Sequence, residues 1–131
     1  TRTILNLLLS GSLAKYRDIQ FIFSHGGGTL PYLAGRIAQM TARQPEIATA
    51  APQGVEFELK RLNYEIANAS HPASMAALMK LAPMEKILFG TDFPFVPVET
   101  TANGMRALGL PAADLAAISR DNAGRLLPRW K

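Results

Sequence analysis

Residues 86–97 read KILFGTDFPFVP, a short apolar run that ends in a single acidic side chain and then stops the backbone. Ile87, Leu88 and Phe89 have the composition of a buried strand, Gly90 loosens the chain, and Asp92 follows ahead of Pro94 and Pro97. Parallel α/β sheets and barrels bind ligands at the carboxyl ends of their strands, so an aspartate just past such a strand is placed to hold a metal or accept a proton. A turn or helix-capping role is the other reading of the same residue. What decides between them is whether another strand brings chemistry to the same end.

Residues 19–31, IQFIFSHGGGTLP, do so. Residues 19–24 are an apolar run rich in Ile and Phe, the pattern of a buried strand, and His25 stands at its carboxyl end before three glycines. Thr29 is the expected N-cap and Pro31 the first turn of a helix reaching to about Arg43, with Leu30, Leu33, Ala34, Ile37 and Met40 on one face. Upstream, the opening TRTILNLLLSGSLA resembles a signal peptide only superficially. Asn6 cuts the apolar stretch, no cleavage pattern is clear, and Ile4, Leu5, Leu8, Leu9 and Leu13 recur at helical spacing, so a core helix is expected.

Downstream, residues 16–18 form a polar turn, residues 45–54 are loop-like, residues 55–61 are an ambiguous short helix, and residues 62–67 give the second strand. Ser70, His71 and Pro72 open a helix over residues 73–81. After the third strand, residues 87–89, a helix is expected over residues 99–108 and a helical pair between residues 112 and 127. Strand then helix, three times at roughly 35 to 45 residues per unit, suits right-handed parallel crossovers in an α/β fold. No internal repeat or domain boundary is visible, so residues 1–131 are read as one unit.

Parallel strands place His25 and Asp92 on the same face of the sheet. An imidazole and a carboxylate there can share a divalent cation or divide the activation of water, His25 polarising it and Asp92 removing its proton. The His-Gly-Gly-Gly run also resembles the oxyanion loop of lipase-type hydrolases and a phosphate-binding turn. Both fail for want of partners: there is no G-x-S-x-G elbow, no histidine near the C-terminus and no Gly-Lys-Ser or Gly-Lys-Thr. His71 reads as a cap, Glu65, alternating with Tyr64 and Ile66, either as a side chain pointing into a site or as a partly exposed structural residue, Asn68 as a minor contact, and Trp130 as terminal packing.

Composition narrows the classes further. With 48% hydrophobic residues in 131, the chain can bury one core. The absence of cysteine excludes disulfide scaffolds, thiolate zinc sites and cysteine nucleophiles, and fits a reducing compartment, the cytoplasm. The net charge of +4 is scattered, with a mild cluster at Arg125, Arg129 and Lys131, so neither nucleic acid nor a membrane is an expected partner.

Four segments together, FIFSHGGGTLPYLAGRI, NYEIANASHPASMAALM, KILFGTDFPF and DNAGRLL, resemble in order and spacing the C-terminal part of the metal-dependent amidohydrolase superfamily. The similarity is to the amidohydrolase-2 branch that includes aminocarboxymuconate-semialdehyde decarboxylase and related aromatic-acid decarboxylases and hydrolases. It implies a (β/α)8 barrel of TIM type in which these are the sixth, seventh and eighth strands. His25 then matches the sixth-strand histidine that helps activate water or substrate, and Asp92 the eighth-strand aspartate that ligates the metal and can act as base. The implied cofactor is a divalent metal, zinc being the expected ion. Its other family ligands, a first-strand His-x-His pair and a fifth-strand histidine, have no counterpart in these 131 residues.

Length gives the same answer independently. A complete barrel of this type takes about 250 residues, so 131 supply about three of its eight βα units and a leading helix. The expectation is therefore a C-terminal fragment, inactive alone, of a metal-dependent hydrolase or decarboxylase acting on a small carboxylated or carbonyl substrate. The alternative is a non-catalytic α/β scaffold module acting through association. Both outer strands should expose unpaired edges and apolar faces, so a homo-oligomer or association with the missing N-terminal part is expected.

Overall fold

A computed structural model describes residues 1–40 and 43–130. The opening apolar residues form two helices, α1 over Arg2–Leu9 and α2 over Ser12–Lys15. Gly11 breaks them apart at φ 73, a left-handed turn that an L side chain resists, while Ile4, Leu8 and Leu13 stay buried on one side. The first strand is shorter than its apolar run: β1 spans Ile22–Phe23. Its neighbour β2, Asn63–Glu65, is itself short, and pairing begins only where Phe21 accepts from the Asn63 amide at 3.0 Å.

Helix α3 spans Leu30–Met40, and its expected continuation through Thr41 and Ala42 lies outside the described residues. The segment read as loop contains a helix, α4 over Pro45–Ala50, because Pro45 sits in its first turn and Ile47 is buried. Residues 55–61 also resolve as helix, α5 over Val55–Lys60, and carry a fully buried Glu58. Arg17 and Arg61 each approach its carboxylate at 2.8 Å, so the charge is taken up from both sides. This cluster lies where the chain enters β1 and β2, at the amino ends of the strands.

After β2 come α6, Pro72–Leu81, and β3, Ile87–Leu88. The chain closes with α7 over Val98–Ala107, α8 over Ala112–Ala116, a π-helical stretch over Ala117–Asp121, and α9 over Asn122–Leu126. The side chain of Trp130, and Lys131, lie outside the described residues. Among the described residues no helix is long and apolar enough to cross a membrane.

The sheet is parallel in the order β1-β2-β3, with Ile22 beside Asn63, Tyr64 beside both Phe23 and Ile87, and Glu65 beside Leu88. Alternation therefore puts Phe23, Tyr64 and Ile87 on the helix-covered face and Ile22, Asn63, Glu65 and Leu88 on the other. Tyr64 is wholly buried, donates its hydroxyl to the Leu59 carbonyl at 2.8 Å, and has its phenol pKa pushed up by that burial.

The two outer edges are not equivalent, which corrects the expectation that both lie open. Asn122 donates its side-chain amide to the carbonyls of Met84 at 2.8 Å and Ile87 at 2.7 Å, and the Phe89 amide donates to the Ile118 carbonyl at 3.0 Å. The π-helical stretch and α9 thus occupy the far edge of β3, where Ile87 and Leu88 are buried. The apolar residues at β1 are left out: Ile19 is 46% exposed and Ile22 47%.

Candidate active site at the strand ends

Each strand hands the chain to a left-handed residue. Among the described residues, the non-glycine positions with positive φ are His25 (56°) after β1, Asn68 (55°) after β2 and Asp92 (62°) after β3. That conformation costs an L residue on the order of 1 kcal/mol, least for Asn and Asp, and it persists only where the surroundings hold it. Because the strands are parallel, all three lie at one end of the sheet.

His25 is exposed, and its ring is fixed on one side by Nδ1, 3.0 Å from the Ala67 carbonyl. A carbonyl oxygen only accepts, so Nδ1 carries a proton and Nε2 is the ring nitrogen left for chemistry. The next residue, Asn68, donates its side-chain amide to Oδ2 of half-buried Asp92 at 3.1 Å. The carboxyl end of β2 thus reaches the histidine with a carbonyl and the aspartate with an amide. Asp92 is further held by its own carbonyl, which accepts from the amides of Phe95 at 2.9 Å and Val96 at 3.3 Å.

The glycines after His25 serve packing. A Cβ at Gly27 would lie 2.9 Å from the Tyr64 ring, so only glycine lets the turn settle on the buried tyrosine. A cleft of about 390 Å³ opens beside this turn, walled by His25, Tyr32, Asn68 and Ser74 among others. His71 stays out of the site, its Nδ1 accepting from the Ala73 amide at 3.3 Å as the N-cap of α6.

Glu65, for which the sequence leaves a site role and a structural role open, lies within this arrangement. Its carboxylate accepts from the Ala67 amide at 2.6 Å and from the His25 amide at 3.4 Å. Asn68, read as a minor contact, is the residue joining the two ends. Neither role has a complete local signal: Asn68 meets Asp92, 24 residues on, and Glu65 joins the nearby Ala67 amide to the His25 amide 40 residues back.

Against metal binding the donor set tests plainly. Among the described residues no group of three or more His, Asp or Glu side chains is placed to hold an ion, so His25 and Asp92 fall short of the three protein ligands usual in a catalytic zinc site. The chain alone does not fit such a centre.

A family profile described as amidohydrolase matches residues 1–129. The chain belongs to the amidohydrolase family. It is 32% identical over 133 residues to the 6-methylsalicylic acid decarboxylase of Penicillium expansum, covering 99% of this chain and 41% of that protein. An amidohydrolase II crystal structure superposes with a TM-score of 0.82 at 30% identity, covering 98% of this chain and 41% of that one. The dihydroxybenzoic acid decarboxylase of a Polaromonas species, solved with bound manganese and an inhibitor, superposes with a TM-score of 0.81 at 22% identity, covering 97% of this chain and 39% of that one. This amidohydrolase chain spans about two fifths of the length of the curated relatives it matches. Its three parallel strands and their helices are part of a (β/α)8 barrel.

Proposed function

We propose that this amidohydrolase chain carries the His25 and Asp92 portion of the active site of a decarboxylase acting on a small hydroxylated aromatic acid. The observation that carries the reading is the hydrogen-bonded end of β2, where Ala67 holds His25 and Asn68 holds Asp92. The decarboxylase relative from Penicillium, matched over nearly the whole of this chain, supplies the substrate class.

Loss of carbon dioxide from such an acid places a proton on the ring carbon bearing the carboxylate. The bond from that carbon to the carboxylate then breaks, its electron pair returns to the ring, and carbon dioxide leaves. His25, with its Nδ1 proton committed to Ala67, gives the ring carbon a proton from Nε2 of the imidazolium, is left as the neutral Nδ1–H ring, and recovers a proton at Nε2 from water. Asp92 keeps its second oxygen free of Asn68 and orients the charged group of the substrate or its counter-ion. A divalent cation, zinc on the family resemblance or manganese as in the Polaromonas enzyme, belongs to the complete protein, with its further donors from residues beyond this chain. Cytoplasmic residence and association through the edge of β1, with the rest of a barrel or a second copy, are part of the same proposal.

In the complete protein, His25→Asn and Asp92→Asn should each lower decarboxylation of 6-methylsalicylate by about 10²-fold or more, with circular dichroism unchanged. Turnover within about threefold of the parent in both variants contradicts the assignment, given that one lost general acid or base costs at least tenfold more. Turnover of an amide or lactone with none of the acid would put hydrolysis in its place.

A further inference from the structure

Glu65 occupies a seat built for it by another strand. It stands on the face of the sheet away from the helices, level with Leu88 of β3, and its half-buried carboxylate lies against Gly90. A Cβ at Gly90 would overlap the Glu65 carboxylate, so the glycine that follows the apolar run of β3 leaves the room the carboxylate fills. From that seat one oxygen accepts from the Ala67 amide at 2.6 Å and the other from the His25 amide at 3.4 Å. A charged acceptor shared by two backbone donors makes hydrogen bonds stronger than neutral ones, and here they tie the end of β1 to the end of β2.

The consequence reaches the His25 ring. The Ala67 residue whose amide is held by Glu65 is the one whose carbonyl receives His25 Nδ1. We infer that Glu65 is a positioning residue: by fixing Ala67 it selects the His25 tautomer that carries its proton on Nδ1 and presents Nε2 as base. Glu65 touches no reacting atom in this arrangement. The functional value of that tautomer rests on the proposed role of His25, while the tautomer itself does not.

His71 provides an internal control. Its Nδ1 accepts from a backbone amide, so its proton sits on Nε2, the opposite form. Long-range proton–nitrogen NMR of the protein carrying this chain, labelled with nitrogen-15 histidine, distinguishes the two forms at about pH 8.5, where an ordinary imidazole is neutral. The two rings are assigned by the loss of signals in His25→Asn and His71→Asn.

The parent should show His25 protonated on Nδ1 and His71 on Nε2. Glu65→Gln keeps the shape but offers one accepting oxygen in place of two, and Gly90→Ala evicts the carboxylate without changing its chemistry. Both should move His25 toward the Nε2-protonated form and leave His71 unmoved. A parent His25 protonated on Nε2 overturns the inference without any variant, and so does an unmoved His25 in folded Glu65→Gln. The predicted shift in a protein that decarboxylates no aromatic acid would leave the inference standing and remove the functional reading instead.

Discussion

At the scale of single residues, Asn68 has two tasks that substitution can separate. Its backbone sits at φ 55, where Gly is strain-free and Ala is not, and its side chain donates to Asp92. Asn68→Gly therefore removes the amide while sparing the backbone, and Asn68→Asp sets a carboxylate against a carboxylate. In the complete protein, Asn68→Gly should lower kcat about tenfold with the melting temperature within about 2 °C of the parent, the loss expected for one hydrogen bond to a charged group of about 1.5 kcal/mol. Asn68→Asp should cost more than Asn68→Gly, because like charges at that distance repel. Equal activity in parent, Gly and Asp variants would mean that Asn68 does not orient Asp92. None of this could be read from the residue itself. Asn tolerates the left-handed region without announcing it, whereas the capping role of His71 was legible, since Ser-His-Pro before an apolar helix is a local signal complete within four residues.

At the scale of elements, the two outer strands differ in how their edges are treated. The edge of β3 receives Asn122 and the Ile118 carbonyl from the final helices, and the π-helical stretch over Ala117–Asp121 includes that carbonyl. Among the described residues the edge of β1 receives no strand, and Ile22 beside it is half exposed. Sedimentation of the 131-residue chain should find self-association at about 100 μM, abolished by Ile22→Lys with circular dichroism unchanged, because a charge on an edge strand opposes pairing. A monomeric parent at that concentration contradicts an available β1 edge. Sequence pattern placed all three strands and their parallel order, since apolar runs and intervening helices are local properties. It missed α4, whose six residues carry only Ile47 as a large apolar anchor, and it missed the clamp of Asn122, because apolar spacing says nothing about a polar side chain that reaches a carbonyl thirty-five residues away.

At the scale of the whole molecule, the division of labour runs between the two ends of the sheet. At the amino ends a buried carboxylate is locked between Arg17 and Arg61, a structural pairing with no open coordination. At the carboxyl ends, among the described residues, Nε2 of His25 and the second oxygen of Asp92 carry no hydrogen bond. The four resemblance motifs map onto this division. The HGGG segment carries His25 and settles on Tyr64, the NYEIAN segment supplies Glu65, Ala67 and Asn68 between the two ends, and the FGTD segment carries Asp92 and makes room for Glu65. The DNAGRLL segment closes the edge of β3.

The central claim is that His25 and Asp92, brought by different strands and held by the end of the strand between them, act as one catalytic unit. A double-mutant cycle on kcat/KM for 6-methylsalicylate in the complete protein tests it most directly, using His25→Asn, Asp92→Asn and the pair. Groups that act as a unit are grossly non-additive, so the double variant should be no more than about threefold slower than the slower single variant. A double variant whose loss equals the product of the two single losses would show two independent residues and contradict the account.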